Sequence, residues 1–237
     1  MATVAADQGS ITLTIIIPCL NEGPALELCL NDLQPLRLAG HELIVVDGGS
    51  EQPVSAHIES LVDRLLQSSP GRAHQMNCGA REAGGEIYWF LHADSRISED
   101  MGMAIIEAAK SAGIWGRFDV RLSGGHLLFR VIERMMNWRS RISGIATGDQ
   151  GIFVERRLFS AVGGFPQQPL MEDIEISRRL KRITPPVTLP GPLLTSSRRW
   201  ERQGIVRTIL LMWLLRFAYW IGVSPRHLAK LYATGMG

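Results

Sequence analysis

The sequence predicts an α/β domain on a parallel sheet, and three observations carry that prediction. Short apolar, β-branched runs alternate with helix-length segments through the first half of the 237-residue chain. The connections between them are short, as βαβ units require. Acidic residues also stand where successive predicted strands run out. Asp47 closes Leu43-Ile44-Val45-Val46, and Asp94 follows Ile87-Tyr88-Trp89-Phe90-Leu91 through His92-Ala93. In an open α/β sheet, ligands bind outside those carboxyl ends.

The first strand is read over Ile11 to Pro18, a continuous apolar run suited to burial on both faces. Asn21-Glu22-Gly23-Pro24 turns the chain into a helix that reaches about Leu38, with Pro fitting its first turn. Glu42 to Asp47 is the second strand, ending in Gly48-Gly49-Ser50, and Leu61 to Gln67 is a short third. Ser69-Pro70-Gly71-Arg72 leads into a helix through Ala83, which Gly84-Gly85 closes before a fourth strand over Glu86 to Leu91.

A helix over Ser98 to Ala112 follows, then a strand over Trp115 to Leu122 and a helix over His126 to Trp138. In that last helix Leu127, Leu128, Val131, Ile132 and Met135 share one face, and Arg130, Glu133, Arg134 and Asn137 the other. Gln150 to Val154 is a further strand, Asp173 to Arg182 a helix, and Pro185-Pro186 breaks the chain. Gly204 to Val223 is strongly apolar, but Arg207 and Arg216 fall on opposite sides of a helical wheel. That leaves three readings open: a packed or partner-docking helix, a shallow membrane-associated helix helped by Trp213, Tyr219 and Trp220, or a span.

A net charge of +2 hides an asymmetry: residues 1–120 carry 16 acidic against 7 basic side chains, and residues 121–237 carry 7 against 18. Such halves suit a metal and diphosphate gripped between them, a basic surface on anionic lipid, or two solvated faces. No recognition motif accompanies the basic half, which argues against nucleic acid as a partner. Cys19, Cys29 and Cys78 have neither metal spacing nor the number for a disulfide framework, which points to a reducing, cytoplasmic setting. Met1 to Ser10 has no signal-peptide pattern.

An ordered series of motifs resembles glycosyltransferase family 2 of the GT-A fold. It begins with Ile15-Ile16-Ile17-Pro18, Asn21-Glu22 and Val45-Val46-Asp47-Gly48-Gly49-Ser50. It continues through Gly71-Arg72, Met76-Asn77, Phe90-Leu91-His92-Ala93-Asp94 and Gly163-Gly164-Phe165 to Met171-Glu172-Asp173 and Arg199-Trp200, so it covers residues 11 to 200. More narrowly, Trp115 to Val120, Thr147 to Gln150 and Ser197 to Trp200 resemble a bacterial subgroup that accompanies radical-SAM and selenium-domain proteins. The resemblance implies a mixed, mostly parallel sheet flanked by helices. It divides the chain into a GT-A domain over 1–202, with a nucleotide-binding half (11–96) and an acceptor half (97–202), and a C-terminal apolar helical segment over 203–237.

It also implies roles. Asp47 stands where the family's first carboxylate contacts the nucleotide base, with Gly49 beside it; Pro18, Asn21, Glu22, Arg72 and Asn77 belong to the same donor group. His92-Ala93-Asp94 fills the slot of the Asp-x-Asp motif, whose last carboxylate meets a Mn²⁺ or Mg²⁺ cation bridging the donor phosphates. His92 departs from that motif, and contact with the ribose, a preference for Mn²⁺ and plain packing all stay open. Glu172-Asp173 matches the late acidic pair, Asp173 as the general base of an inverting transfer and Glu172 as its support. Asp149 and Gln150 fall where acceptor or donor sugar is held, although short polar side chains also cap such turns. Arg199-Trp200 resembles the end of the Gln-x-x-Arg-Trp motif, Arg199 serving the diphosphate and Trp200 the acceptor; Ser196 in place of Gln argues against processive polymerisation.

The expected activity is therefore metal-assisted sugar transfer from a nucleotide sugar to an acceptor that the residues do not name, a lipid-linked one among the candidates. The setting would be the cytoplasm, with peripheral contact at the inner face of the membrane through 204–223. Two rivals stand beside it. A sugar nucleotidyltransferase would carry a basic, Gly-rich loop after the first strand, where this chain has Cys19-Leu20-Asn21-Glu22-Gly23. A non-catalytic nucleotide-sugar-binding or scaffold protein draws its support from His92.

Overall fold

Leu13, Ile15, Ile16 and Ile17 are all buried, so the first strand, β1 (Leu13–Cys19), belongs in the middle of a sheet covered on both faces. It pairs in parallel with β2 (Glu42–Asp47) on one side and β4 (Ile87–Phe90) on the other, and β2 pairs in parallel with β3 (Arg64–Gln67). Beyond β4 the sheet turns mixed. β6 (Phe153–Glu155) runs antiparallel to both β4 and β5 (Trp115–Leu122), and β7 (Val187–Thr195) is a parallel edge strand on β5. The strand order is β3-β2-β1-β4-β6-β5-β7. This computed structural model describes residues 12–235 other than 53, 99 and 112; the side chains of 199, 202, 203, 234 and 235 also lie outside the described set.

Helices cover both faces. Leu13, Ile15, Ile17, Val45 and Trp89 point to one side, against Leu26, Leu30 and Leu33 of α1 (Gly23–Leu38) and Met101 and Ile105 of α4 (Asp100–Ala109). Ile16, Ile44, Val46, Tyr88 and Phe90 alternate to the other, against Ala73, Met76 and Ala80 of α3 (Arg72–Glu82) and Ile176 and Leu180 of α7 (Glu172–Lys181). Two short helices absent from the sequence reading, α2 (Ala56–Ser60) and α6 (Arg156–Ala161), fill connections. The third strand is correspondingly shorter than expected, because α2 and its exit take the residues before Arg64.

β7 is a second departure from expectation. Pro190-Gly191-Pro192 within it argues against a strand, but an edge position leaves one side of the ladder free of donors, and the β5–β7 register shifts between Phe118 and Asp119. Gln150, expected to begin a strand, instead ends a 3₁₀ turn over Gly148–Gln150, and β6 starts at Phe153.

The long helix α5 (Leu127–Ser143) turns its polar face inward. β6 pairs with β5 at Trp115 and Gly116, leaving the backbone further along β5 to find other partners. Asn137 supplies them at Val120, its Oδ1 accepting from the amide at 2.9 Å and its Nδ2 donating to the carbonyl at 3.1 Å. Glu133 Oε1 accepts from Leu122 N at 2.6 Å, and Arg130 donates to Leu122 O. Satisfying buried backbone outweighs burying the apolar stripe, so Leu127, Leu128, Val131, Met135, Trp138 and Ile142 remain exposed.

After α8 (Arg198–Gln203) the chain forms α9 (Ile205–Trp220) and α10 (Pro225–Gly235). Leu215 and Leu228 are buried against Met171, which docks this pair on the loop before α7. Among the described residues, no helix is long and apolar enough to cross a membrane.

Candidate active site

The carboxyl ends of β1 and β4, the 3₁₀ turn, the start of α7 and the inner sides of α5 and α9 enclose a cleft of about 980 Å³. Pro18, Asn21, Glu22, Arg72, His92, Ala93 and Asp94 line it from the first half of the chain. Asp149, Asp173 and Trp200 line it from the second. The turn after β1 is locally constrained. Asn21 sits at φ +57°, a conformation Asn tolerates better than most residues, and its Oδ1 accepts from Glu51 N at 2.9 Å. Its own amide donates to Ser50 Oγ at 2.9 Å, so the turns after β1 and β2 brace each other.

Asp47 ends β2 in register with Cys19 and is 3% exposed. Its Oδ1 accepts from Ser50 Oγ at 2.5 Å and Ser50 N at 3.1 Å, whereas Oδ2 has a longer contact of 3.3 Å with Ser50 N. It therefore shapes the Gly48–Ser50 turn and lies behind the cleft wall rather than on it. Burial, together with the charges of Asp47 and Glu22, raises the Cys19 thiol to about 12, so this cysteine stays protonated.

Asp94 is half-buried one turn beyond β4 and faces the cleft. His92 stands against Gly148: a Cβ there would lie 2.6 Å from its Nε2. Among the described residues, no three His, Cys, Asp or Glu side chains converge on a metal position. A single carboxylate beside an imidazole still fits Mg²⁺ or Mn²⁺, which take one or two protein carboxylates and complete their shell with substrate phosphates and water.

Asp173 Oδ2 accepts from Gly148 N at 3.0 Å and Oδ1 from Ile174 N at 2.8 Å, fixing its carboxylate at the head of α7. Met171, immediately before α7, adopts φ +66°, an uncommon conformation for a residue with a side chain. Glu172 is turned inward beside Asp173; burial first, and the Asp173 charge second, push its carboxyl up to about 7, against the pull of Arg72.

Three of the expected residues make contacts within the fold itself. Asn77 spends both ends of its amide on Phe165, donating to its carbonyl at 2.8 Å and accepting from its amide at 2.9 Å, and does not line the cleft. Gln150 is fully buried and its Oε1 accepts from Thr147 N at 3.0 Å, so it caps the turn instead of facing a ligand. Gly49, at φ +91°, serves the turn after β2. Trp200 packs against Leu122, Phe129 and Ile132 while reaching the cleft. The Arg199 side chain lies outside the described residues.

Among the cleft residues that the sequence did not assign to the site are Arg139 of α5 and Arg216 of α9. Arg216 left a signal, as a charge interrupting an apolar helix; Arg139 left none on a helix already rich in arginine.

The model of the family described as glycosyl transferase family 2 matches residues 14–159, more than half of the chain. The chain belongs to glycosyl transferase family 2. An uncharacterised glycosyltransferase of Mycobacterium tuberculosis is 29% identical over 191 residues, covering 75% of this chain and 72% of that one. Poly-β-1,6-N-acetyl-D-glucosamine synthase of Staphylococcus aureus is 25% identical over 104 residues, 41% of this chain and 25% of the synthase.

Among solved structures, S. aureus TarS 1–349 superposes with a TM-score of 0.65 at 17% identity, over 85% of this chain and 66% of its own. A mannosyltransferase from Pyrobaculum calidifontis, solved with GDP-Man and Mn²⁺, superposes with a TM-score of 0.56 at 19% identity, over 94% of this chain and 69% of its own. The mixed sheet is thus that of the GT-A fold, and the family 2 chain is a glycosyltransferase.

Proposed function

We propose that this family 2 enzyme moves a sugar from a nucleotide-sugar donor to an acceptor hydroxyl, with inversion and with help from a divalent cation. The observation that carries the reading is that Asp94, at the end of β4, and Asp173, at the head of α7, line one cleft from opposite halves of the chain. TarS solved with UDP-GlcNAc and the Pyrobaculum enzyme solved with GDP-Man and Mn²⁺ support the donor class and the metal.

In this reading residues 11–96 form the donor half and 97–202 the acceptor half, with 203–237 appended. Asp47 holds the turn on which the nucleotide base lies, its carboxylate bracing Ser50 from behind the cleft wall. Pro18, Asn21 and Glu22 border the donor, and Arg72 balances diphosphate charge from the start of α3. Asp94, with His92 beside it, would hold the cation, which when bound neutralises charge on the leaving diphosphate.

Asp173 takes the proton of the acceptor hydroxyl as that oxygen attacks the anomeric carbon and the diphosphate leaves on the opposite face. Its two backbone hydrogen bonds orient the carboxylate and leave each oxygen a further lone pair for that proton. Glu172, whose carboxyl is raised by burial and by Asp173, carries less negative charge beside the diphosphate than an ordinary carboxylate and fills the space next to the base. Trp200 and Asp149 stand on the acceptor side. The apolar segment 204–223 suits peripheral contact with a membrane. The narrower bacterial subgroup rests on the motifs at 115–120, 147–150 and 197–200.

The deciding experiment is a thermal-shift panel of UDP-, GDP- and dTDP-sugars with Mn²⁺, Mg²⁺ or EDTA, on wild type and Asp94→Asn. A donor at one hundred times its dissociation constant adds ~2.7 kcal/mol of stability. Stabilisation by one donor class that needs metal and disappears in Asp94→Asn supports the reading. No shift with any donor under any metal condition sinks it.

A further inference from the structure

Arg139 and Arg216 approach each other inside the cleft, and each has buried side-chain nitrogens without a hydrogen-bond partner. Arg139 Nε and Nη2 and Arg216 Nε are shielded from solvent and make no hydrogen bond. Burial, and then repulsion from Arg216, depress the Arg139 guanidinium to about 10, while Asp149 and Asp173 attract it. A buried donor left unsatisfied costs more than a net hydrogen bond returns, and a guanidinium presents several in a fork that matches a phosphate. These nitrogens therefore mark the seat of an anion, next to the proposed base rather than next to Asp94.

The walls around that seat are apolar and continue onto the outer surface. Met135 and Trp138 of α5 and Met212 and Trp213 of α9 line the cleft. The same helices carry outward stripes, Leu127 to Ile142 on α5 and Val206, Leu210, Leu214 and Phe217 on α9; Trp138 is 68% exposed and Trp213 55%. Outward apolar faces of this extent mark an interaction surface. The charge on these helices selects the partner. Exposed Arg134, Arg207, Arg226 and Lys230 lie on α5, α9 and α10, whereas their one acid is Glu133, buried against the Leu122 amide.

We propose that the acceptor is a membrane lipid whose headgroup presents a phosphate and a hydroxyl, the phosphate seated on Arg139 and Arg216 and the chain crossing the apolar face of α5 and α9. This rests on the transferase reading and names the acceptor class for the same cleft. Basic side chains near an anionic bilayer add about 1 kcal/mol each, which favours delivery from the membrane surface. The hydroxyl then reaches Asp173 while the phosphate stays with the arginines.

The test is flotation with vesicles of phosphatidylcholine alone or mixed with phosphatidylglycerol, whose headgroup carries both groups. Wild type should float at least ~10-fold better with the mixture, a difference of about 1.4 kcal/mol. Arg139→Gln with Arg216→Gln should reduce that preference to the part that the exposed basic side chains supply, and Trp138→Ser with Trp213→Ser should reduce flotation on both vesicles. In parallel, the donor-induced rise in melting temperature should survive in both variants.

Equal wild-type binding to the two vesicles would overturn the proposal, as would a preference that loss of the arginines leaves undiminished. Soluble glycerol phosphate displacing the protein completely would point to a free phosphorylated acceptor instead. Concentration-dependent dimerisation abolished in the tryptophan variant would make the apolar face a contact between copies. Loss of the donor-induced shift in the arginine variant would assign the guanidinium groups to the donor diphosphate. Should that variant not fold, the wild-type vesicle comparison and the exposed tryptophan variant still decide. A wild type without any donor shift counts against the transferase reading, whereas vesicle selectivity judges the lipid alone.

Discussion

Asp173 Oδ2 accepts from Gly148 N at 3.0 Å, tying the head of α7 to the turn that carries Asp149. Two segments 25 residues apart in sequence are thereby joined on one wall of the cleft, and the carboxylate is oriented before any substrate arrives. Asp173→Asn retains one amide oxygen to accept from Gly148 N and gives up acceptance from Ile174 N, so the tie to the turn should persist while the proton acceptor is lost. Turnover should fall ~10²- to 10⁴-fold, the usual contribution of a general base. The donor-induced melting shift should remain. A variant turning over within about tenfold of wild type would remove Asp173 from the role.

Glu172 gives the protein a pH dependence of known sign. Its folded carboxyl is raised from 4.5 to about 7, by burial and by Asp173. The folded state therefore holds a proton that the unfolded chain releases. The stability this contributes is complete below about pH 4.5 and is lost as pH rises through about 7. Melting temperatures of wild type and Glu172→Gln, compared without donor, should diverge in favour of the variant across that window. A difference that stays constant with pH would mean Glu172 is ionised in the fold.

The physical origin of each element explains what the sequence revealed. β1, β2 and β4 were legible because burial on both faces demands unbroken apolar runs, and Asp47 and Asp94 were legible because they end those runs. β7 was hidden by Pro190 and Pro192, which an edge strand tolerates. The periodicity of α5 was plain, but its orientation depended on unpaired backbone at Val120 and Leu122, a demand set by where β6 stops. Asn77 and Gln150 spend side-chain groups on backbone, and a polar side chain that serves backbone reads in a sequence the same as one that serves a ligand. Arg139 was invisible for the same reason: only burial distinguishes it from the solvated arginines beside it.

Arg117 extends that theme to stability. It is 1% exposed, and its Nη1 donates to Asp119 Oδ1 at 2.7 Å and to Phe118 O at 3.0 Å. Burial lowers its proton affinity, which the Asp119 carboxylate partly restores. Asp119→Ala would strand this cation beneath the sheet and also release Arg141 from its ion pair. Urea denaturation should show a loss of ~3 kcal/mol, as for other buried pairs broken on one side. A loss below about 1 kcal/mol would class the pair with surface ion pairs.

His92 is the departure from the family's acidic motif, and Gly148 offers a way to ask what it does. An alanine at 148 would place a methyl 2.6 Å from His92 Nε2 and 3.2 Å from Cε1, so the imidazole must move. If the ring contacts the donor, Gly148→Ala should weaken donor binding several-fold, and in a His92→Ala background the same substitution should cost nothing further. Titration of donor against both single variants and the double variant measures that coupling, which contacting residues show at ~0.5–3 kcal/mol. Equal losses in both backgrounds would place the effect in the turn itself, through the Gly148 amide that holds Asp173. In that case His92 is a packing residue, and the cation site depends on Asp94 and the donor phosphates alone.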